Sequence, residues 1–157
     1  MKNIYKISSV LAIFVGVIMI SGGIWGICFT YKNVARENIV TPEDSVIPNT
    51  PVRGPLTLKT QSDIIREHTL RTTGGKTYAE MPRQIQKLDE NGNAVLNEKG
   101  EIVMIPNDAR NMWVTATTLT TALNLAIVTY IFSGLVLLFG FISLWNGLVF
   151  FILSKKS

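Results

Sequence analysis

The chain has 157 residues, of which 47% are hydrophobic and 17% are charged, and its formal net charge is +4. A single cysteine and a single histidine exclude a disulfide-stapled secreted module and the usual metal centres with two or three histidines in one chain. Four of the fifteen basic residues lie in the terminal tails, which leaves eleven to match the eleven acidic residues. The excess charge lies beside apolar segments, so it indicates membrane orientation and excludes nucleic acid as a partner.

Residues 7–29 form the first apolar segment, which is long enough to cross a membrane as a helix. Lys2 and Lys6 precede it, and Ser21-Gly22-Gly23 is compatible with a signal-peptide cleavage site. Because apolar sequence continues beyond that site, we predict a retained transmembrane helix 1 over 7–29. Cleavage within residues 1–23 is the alternative.

The last third of the chain is the second apolar segment. We predict one continuous helix over 108–153, because no proline or glycine interrupts residues 108–124 and almost every residue from Leu123 onward is apolar. At about 1.5 Å per residue this helix exceeds the roughly 30 Å hydrocarbon core of a bilayer. Its first part is therefore predicted to extend outward as a stalk, followed by transmembrane helix 2.

Two spans place both termini on one side of the membrane. The short tails, residues 1–6 and 154–157, carry four lysines, which predict that this side is the cytoplasm. Residues 30–107 would then form an extracytoplasmic domain, and the protein would be a multi-pass protein of a bacterial cell membrane. The lipid bilayer is thus a predicted partner.

Small residues recur along both spans at spacings that bring helix backbones close together. The predicted helix-packing residues are Gly16, Gly22, Gly23, Gly26, Ser133, Gly140 and Gly147. We favour pairing of the two spans within one chain. Self-association between copies is the alternative.

The predicted domain between the spans is a small α+β unit. Residues 34–55 are rich in proline and are predicted to be extended chain, and residues 57–71 to be a helix capped by Thr57 or Thr60 and ended by Gly74-Gly75. Residues 88–95 and 96–103 are a tandem repeat with a glycine turn, which predicts a β-hairpin insert at about 85–105. The fold class is therefore a mainly α membrane protein, with two transmembrane helices flanking an α+β extracytoplasmic domain.

Catalytic motifs are weak in this sequence. Gly75-Lys76-Thr77 ends like a phosphate-binding loop, but the first glycine that the motif requires is absent. His68, Glu67 and Glu80 are the only basis for a metal site, and one chain does not supply a usual ligand set. We therefore expect no enzyme activity, no cofactor and no metal. The candidate interaction surface comprises Thr73, Lys76, Tyr78, Glu80, Trp113, Thr117, Thr121 and Asn124.

One family resemblance covers most of the chain. It is carried by residues 53–57, 61–70, 73–81, 109–111 and 113–124. These segments resemble a family of small two-span actinobacterial membrane proteins, whose members are often labelled aromatic ring-opening dioxygenases. The resemblance implies two membrane helices and an extracytoplasmic domain. It carries over no catalytic residue, because a ring-opening dioxygenase needs iron ligands that one histidine does not provide.

These observations favour a non-enzymatic integral membrane protein whose extracytoplasmic domain serves interaction or assembly. Its partners would be other membrane proteins or further copies of the chain. A metal-dependent envelope enzyme, with a site shared between subunits at His68, Glu67 and Glu80, is the first alternative. A channel or transporter accessory subunit is the second.

Overall fold

The structure, a computed structural model, describes residues 2–156 and is mainly helical. Its elements are α1 (Lys2–Arg36), α2 (Pro55–Thr72), a 3-10 helix (Tyr78–Glu80), β1 (Gln84–Gln86), β2 (Met104–Pro106) and α3 (Asp108–Lys156). The prediction of a mainly helical fold with two long apolar helices is confirmed. Helices α1 and α3 are long and apolar enough to cross a membrane.

Both long helices exceed their predicted bounds of 7–29 and 108–153. Helix α1 includes polar residues before and after its apolar segment and ends at Arg36. Helix α3 begins at Asp108 and includes the two lysines at its end. A change from apolar to polar side chains does not end a helix by itself, because the backbone hydrogen bonds continue until a breaking residue or a cap intervenes.

The chain divides into two compact units, residues 1–59 with 124–157 and residues 60–123. We call them the helix-pair unit and the middle unit. The boundaries fall within α2 and within α3.

In the helix-pair unit, α1 and the later part of α3 pack antiparallel. The Ser9 hydroxyl donates to the Gly147 carbonyl at 2.8 Å, and the Ser143 hydroxyl donates to the Ala12 carbonyl at 2.8 Å. The buried residues of α1 recur every seventh position: Ser9, Gly16, Gly23 and Thr30. A seven-residue repeat keeps one line of the helix against its neighbour over many turns. The two long helices thus contact each other within one chain.

Residues 37–54 lie outside the helices, in keeping with the non-helical chain predicted over 34–55, but they fold back on themselves instead of running extended. Residues 34–36 belong to α1, and Val40 then pairs with Pro51 in an antiparallel bridge. The Thr41 hydroxyl is buried inside this loop, where it donates to the Ile47 carbonyl and accepts the Thr50 N–H at 3.0 Å. Side-chain hydrogen bonds to backbone groups therefore fold the proline-rich segment back on itself.

Helix α2 begins differently from the prediction as well. Thr57 is the third residue of the helix, and its hydroxyl accepts the N–H groups of Arg53 at 3.1 Å and Gly54 at 3.2 Å. It thus satisfies donors that precede the helix, while Thr60 is buried within it and is not a cap. At the other end, Gly74 and Gly75 have positive φ angles of 63° and 79°, and the Gly75 N–H donates to the Leu70 carbonyl at 2.7 Å. This is the glycine-ended helix that the sequence indicates.

The tandem repeat forms two small lobes on a two-stranded stem. Strands β1 and β2 pair antiparallel, with Ile85 opposite Ile105. The repeats close at equivalent positions, Leu88 with Ala94 and Leu96 with Ile102. Lys87, Val95 and Val103 join stem and lobes, because each donates its N–H to the carbonyl of another at 2.8 Å. These hydrogen bonds pair the backbone N–H and C=O groups of the three residues where the stem meets the two lobes.

Candidate interaction groove

Trp113 organises the middle unit, where it is only 5% exposed. Its indole N–H lies 2.8 Å from the Lys76 carbonyl and 3.2 Å from the Thr73 hydroxyl. The Arg66 guanidinium carbon lies 5.6 Å from the ring centroid, within the range of a cation–π contact. A buried indole needs a hydrogen-bond acceptor, so these contacts fix both the position and the rotation of the ring.

The start of α3 is fixed independently. Asn107 is 6% exposed, and its side-chain oxygen lies 3.4 Å from the Arg110 N–H in the arrangement of a helix N-cap. The Asn107 amide also donates to the Pro82 carbonyl at 3.0 Å. The cap therefore ties α3 to the chain that enters β1.

A groove of about 560 Å³ lies along the first turns of α3. It is lined by Tyr78, Trp113, Val114, Thr117, Thr118, Thr121 and Ala122. Five of these residues fall on one helical face, at spacings of three and four. The exposed lining of the groove is almost entirely apolar, and the Thr118 hydroxyl already donates to the Val114 carbonyl at 2.9 Å, so the groove suits binding by close packing.

The rim of the groove is held by a stacked pair. The Arg110 guanidinium carbon lies 3.8 Å from the centroid of the Tyr78 ring, and its Nε donates to the Tyr78 carbonyl at 3.3 Å. Glu80 accepts the Thr77 N–H and the Thr77 hydroxyl, both at 2.7 Å. The Thr77 backbone N–H is the main cause of a lowered pKa for the Glu80 carboxyl. These contacts preorganise the residues that follow α2.

The structure brings together only part of the predicted interaction surface. Tyr78, Trp113, Thr117 and Thr121 line the groove, and Lys76 and Glu80 are exposed in the same unit. Thr73 is not a surface residue, because it is 8% exposed and its hydroxyl takes part in the Trp113 contacts. Asn124 belongs to the helix-pair unit.

Three groove residues fall in the predicted stalk but were not singled out from the sequence: Val114, Thr118 and Ala122. All three lie on the same face of α3 as Thr117 and Thr121. The helical spacing was present in the sequence, but it does not show which face of a threonine-rich helix remains open.

Most of the predicted packing residues lie between the paired helices. An added Cβ at Gly16, Gly23, Gly140 or Gly147 would come within 3.0 Å of the opposite helix, and one at Gly26 would meet Ser133. Gly22 is the exception, since an added Cβ there would meet nothing within 4 Å. Its four-residue spacing to Gly26 fits a close-packing motif. The residues of α1 that face α3 instead recur every seventh position and include Gly23, so the neighbouring Gly22 faces away from α3.

The residues of the metal-site alternative have separate roles in the structure. Glu67 forms an ion pair with Arg71, one turn later on α2. Glu80 holds Thr77, and His68 is exposed on α2. Among residues 2–156, the His, Cys, Asp and Glu side chains form no group of three that would hold a metal ion.

No known protein family, curated protein or solved structure matches this chain. The resemblance to two-span actinobacterial proteins therefore stays a prediction. The class that the fold defines is a mainly helical protein with two helices suited to crossing a membrane.

Proposed function

We propose that this chain is a non-enzymatic integral membrane protein whose extracytoplasmic part binds another membrane protein, or a further copy of the chain, through the groove on α3. Both termini would lie in the cytoplasm of a bacterial cell, beside the tail lysines. The groove carries the proposal because its lining is preorganised before any partner arrives. Preorganisation lowers the entropic cost of association.

The chemistry of the groove supports a binding role. Tyr78 supplies an exposed aromatic ring, and the rest of the exposed lining is almost entirely apolar. Aromatic residues are enriched in protein interfaces. Trp113 is buried and fixed by the Lys76 carbonyl, so this part of the groove lining needs no rearrangement on binding. The groove is thus suited to a helix or an extended segment that presents apolar side chains.

Site-specific photo-crosslinking in intact membranes tests this proposal. A photoreactive phenylalanine analogue at Thr118, inside the groove, is expected to form a discrete adduct with a protein partner. The matched control is Thr115, an exposed threonine on the same helix that does not line the groove. Equal adducts from both positions, or adducts with lipid alone from Thr118, would refute the proposal.

A further inference from the structure

Arg53 is an exposed arginine with a fixed position in the helix-pair unit. Its backbone N–H donates to the Thr57 hydroxyl at 3.1 Å, and its carbonyl accepts the Tyr130 hydroxyl at 2.7 Å. Its Nη1 donates to the Tyr31 oxygen at 3.0 Å, with the guanidinium carbon 5.9 Å from the Tyr31 ring centroid. Two tyrosines, one from each long helix, therefore hold this residue.

These contacts also define the level of Arg53 along the helices. Tyr31 lies 25 residues after Lys6 on α1, and Tyr130 lies 25 residues before Lys155 on α3. At the rise of an α-helix, each interval is about 37 Å long, slightly more than the roughly 30 Å hydrocarbon core. Lysine and tyrosine are residues that favour the two interfaces of a bilayer. If both helices cross a bilayer, this spacing would place Arg53 at the depth of the lipid headgroups.

The donors that remain at this position suit a phosphate. A guanidinium has five N–H donors, and Tyr31 takes one of them. Because the Tyr31 oxygen accepts from Arg53, its own O–H is available to donate beside the guanidinium. Paired N–H groups of arginine bind phosphate oxygens in a bidentate manner that a lysine does not reproduce. In the described part of the chain, the side-chain partners of Arg53 are the oxygen and the ring of Tyr31.

We propose that Arg53 and Tyr31 form a binding site for the phosphate of an anionic membrane phospholipid. The site is separate from the groove on α3 and binds lipid whether or not the groove has a partner. A lipid held there would fix the depth of both helices by bridging α1 and the chain that enters α2. Phosphatidylglycerol fits best, because no headgroup amine offsets its phosphate charge.

The test is native mass spectrometry of the full chain, which measures the lipid that stays bound when the detergent is removed. Phosphatidylglycerol or phosphatidylcholine is added to the detergent-solubilised protein beforehand. The wild type is expected to retain phosphatidylglycerol, and Arg53→Gln to lose about tenfold in apparent affinity, since charge-assisted hydrogen bonds are of that strength. Tyr31→Phe and Arg53→Lys are expected to lose less, because each keeps the positive charge. Arg36→Gln, an exposed arginine on α1 outside the contact, is the matched control.

Equal losses in Arg53→Gln and Arg36→Gln would overturn the proposal, because they would show non-specific charge attraction. Unchanged retention in both Arg53 variants and Tyr31→Phe would overturn it too. Inorganic phosphate that displaces the lipid at equal concentration would identify a site for free phosphate and contradict a lipid site. Helical circular dichroism of each variant separates loss of binding from loss of folding.

Discussion

Two adjacent glycines in α1 offer the sharpest test of the helix pair. A Cβ added at Gly23 would lie 2.6 Å from the Leu137 Cγ and 2.9 Å from the Ser133 carbonyl oxygen. The backbone oxygen has little freedom to move, so Gly23→Ala forces the helices apart locally. Over-packing of this kind costs about 1–3 kcal/mol of the free energy of unfolding. Gly22→Ala meets open space and should be neutral or slightly stabilising, because alanine favours helix over glycine.

Unfolding in mixed mild-detergent and dodecyl sulfate micelles measures this difference. A donor and an acceptor dye on Lys6→Cys and Lys155→Cys, in a Cys28→Ser background, report the separation of the helices. The Gly23→Ala midpoint should fall and the Gly22→Ala midpoint should not. Equal destabilisation by both substitutions, or none by either, would refute the contact line that we describe.

The middle unit gives three further predictions. Asp89 and Asn97 close the two lobes in the same way, but the Asn93 and Asn91 backbone N–H groups hold the pKa of Asp89 below its ordinary value. The Asp89 bonds are therefore fully present above the unfolded-state pKa and are lost as pH falls through the lowered one. The protection factors of the first-lobe amides, corrected for the intrinsic exchange rate at each pH, should fall in acid more than those of the second lobe, and Asp89→Asn should abolish the difference. Trp113→Phe removes the indole N–H that donates to the Lys76 carbonyl, so the free energy of unfolding of the middle unit should fall by about 1–2 kcal/mol. Its thermal midpoint should lie below that of Trp145→Phe, the control at an exposed tryptophan. Equal midpoints would contradict the role given to the indole. Asn107→Ala removes a buried N-cap and should lower the free energy of unfolding by about 1 kcal/mol. The backbone amides at the start of α3 should then exchange with solvent faster. Unchanged amide exchange there would show that the cap contributes little.

The long helices could be predicted because their signal is local and repeated. Uninterrupted apolar sequence identified both long helices, and the seven-residue spacing of small residues identified the side on which they meet. Gly22 was assigned wrongly because two spacings compete at Gly22 and Gly26, and only the partner helix decides between them. Pairwise distances in one sequence do not contain that information.

The closed loop before α2 and the groove depend on tertiary contacts. The Thr41 hydroxyl folds the loop by bonding to Ile47 and Thr50, which no composition rule indicates. Thr73 looked like a surface residue beside Lys76, yet Trp113 draws it into the interior from forty residues away. Hydrophobic periodicity locates helices, but the open face of α3 depends on which residues of the domain pack against it.

The native mass of the protein extracted in mild detergent, with its metal content, tests the account most directly. We predict a complex larger than the 17.4 kDa chain, without stoichiometric metal, that Thr118→Trp dissociates by filling the groove and Thr115→Trp leaves intact. A 17.4 kDa monomer that carries stoichiometric iron or zinc would contradict the proposed function and favour the enzyme alternative. A complex that persists unchanged in Thr118→Trp would contradict the groove as its binding site.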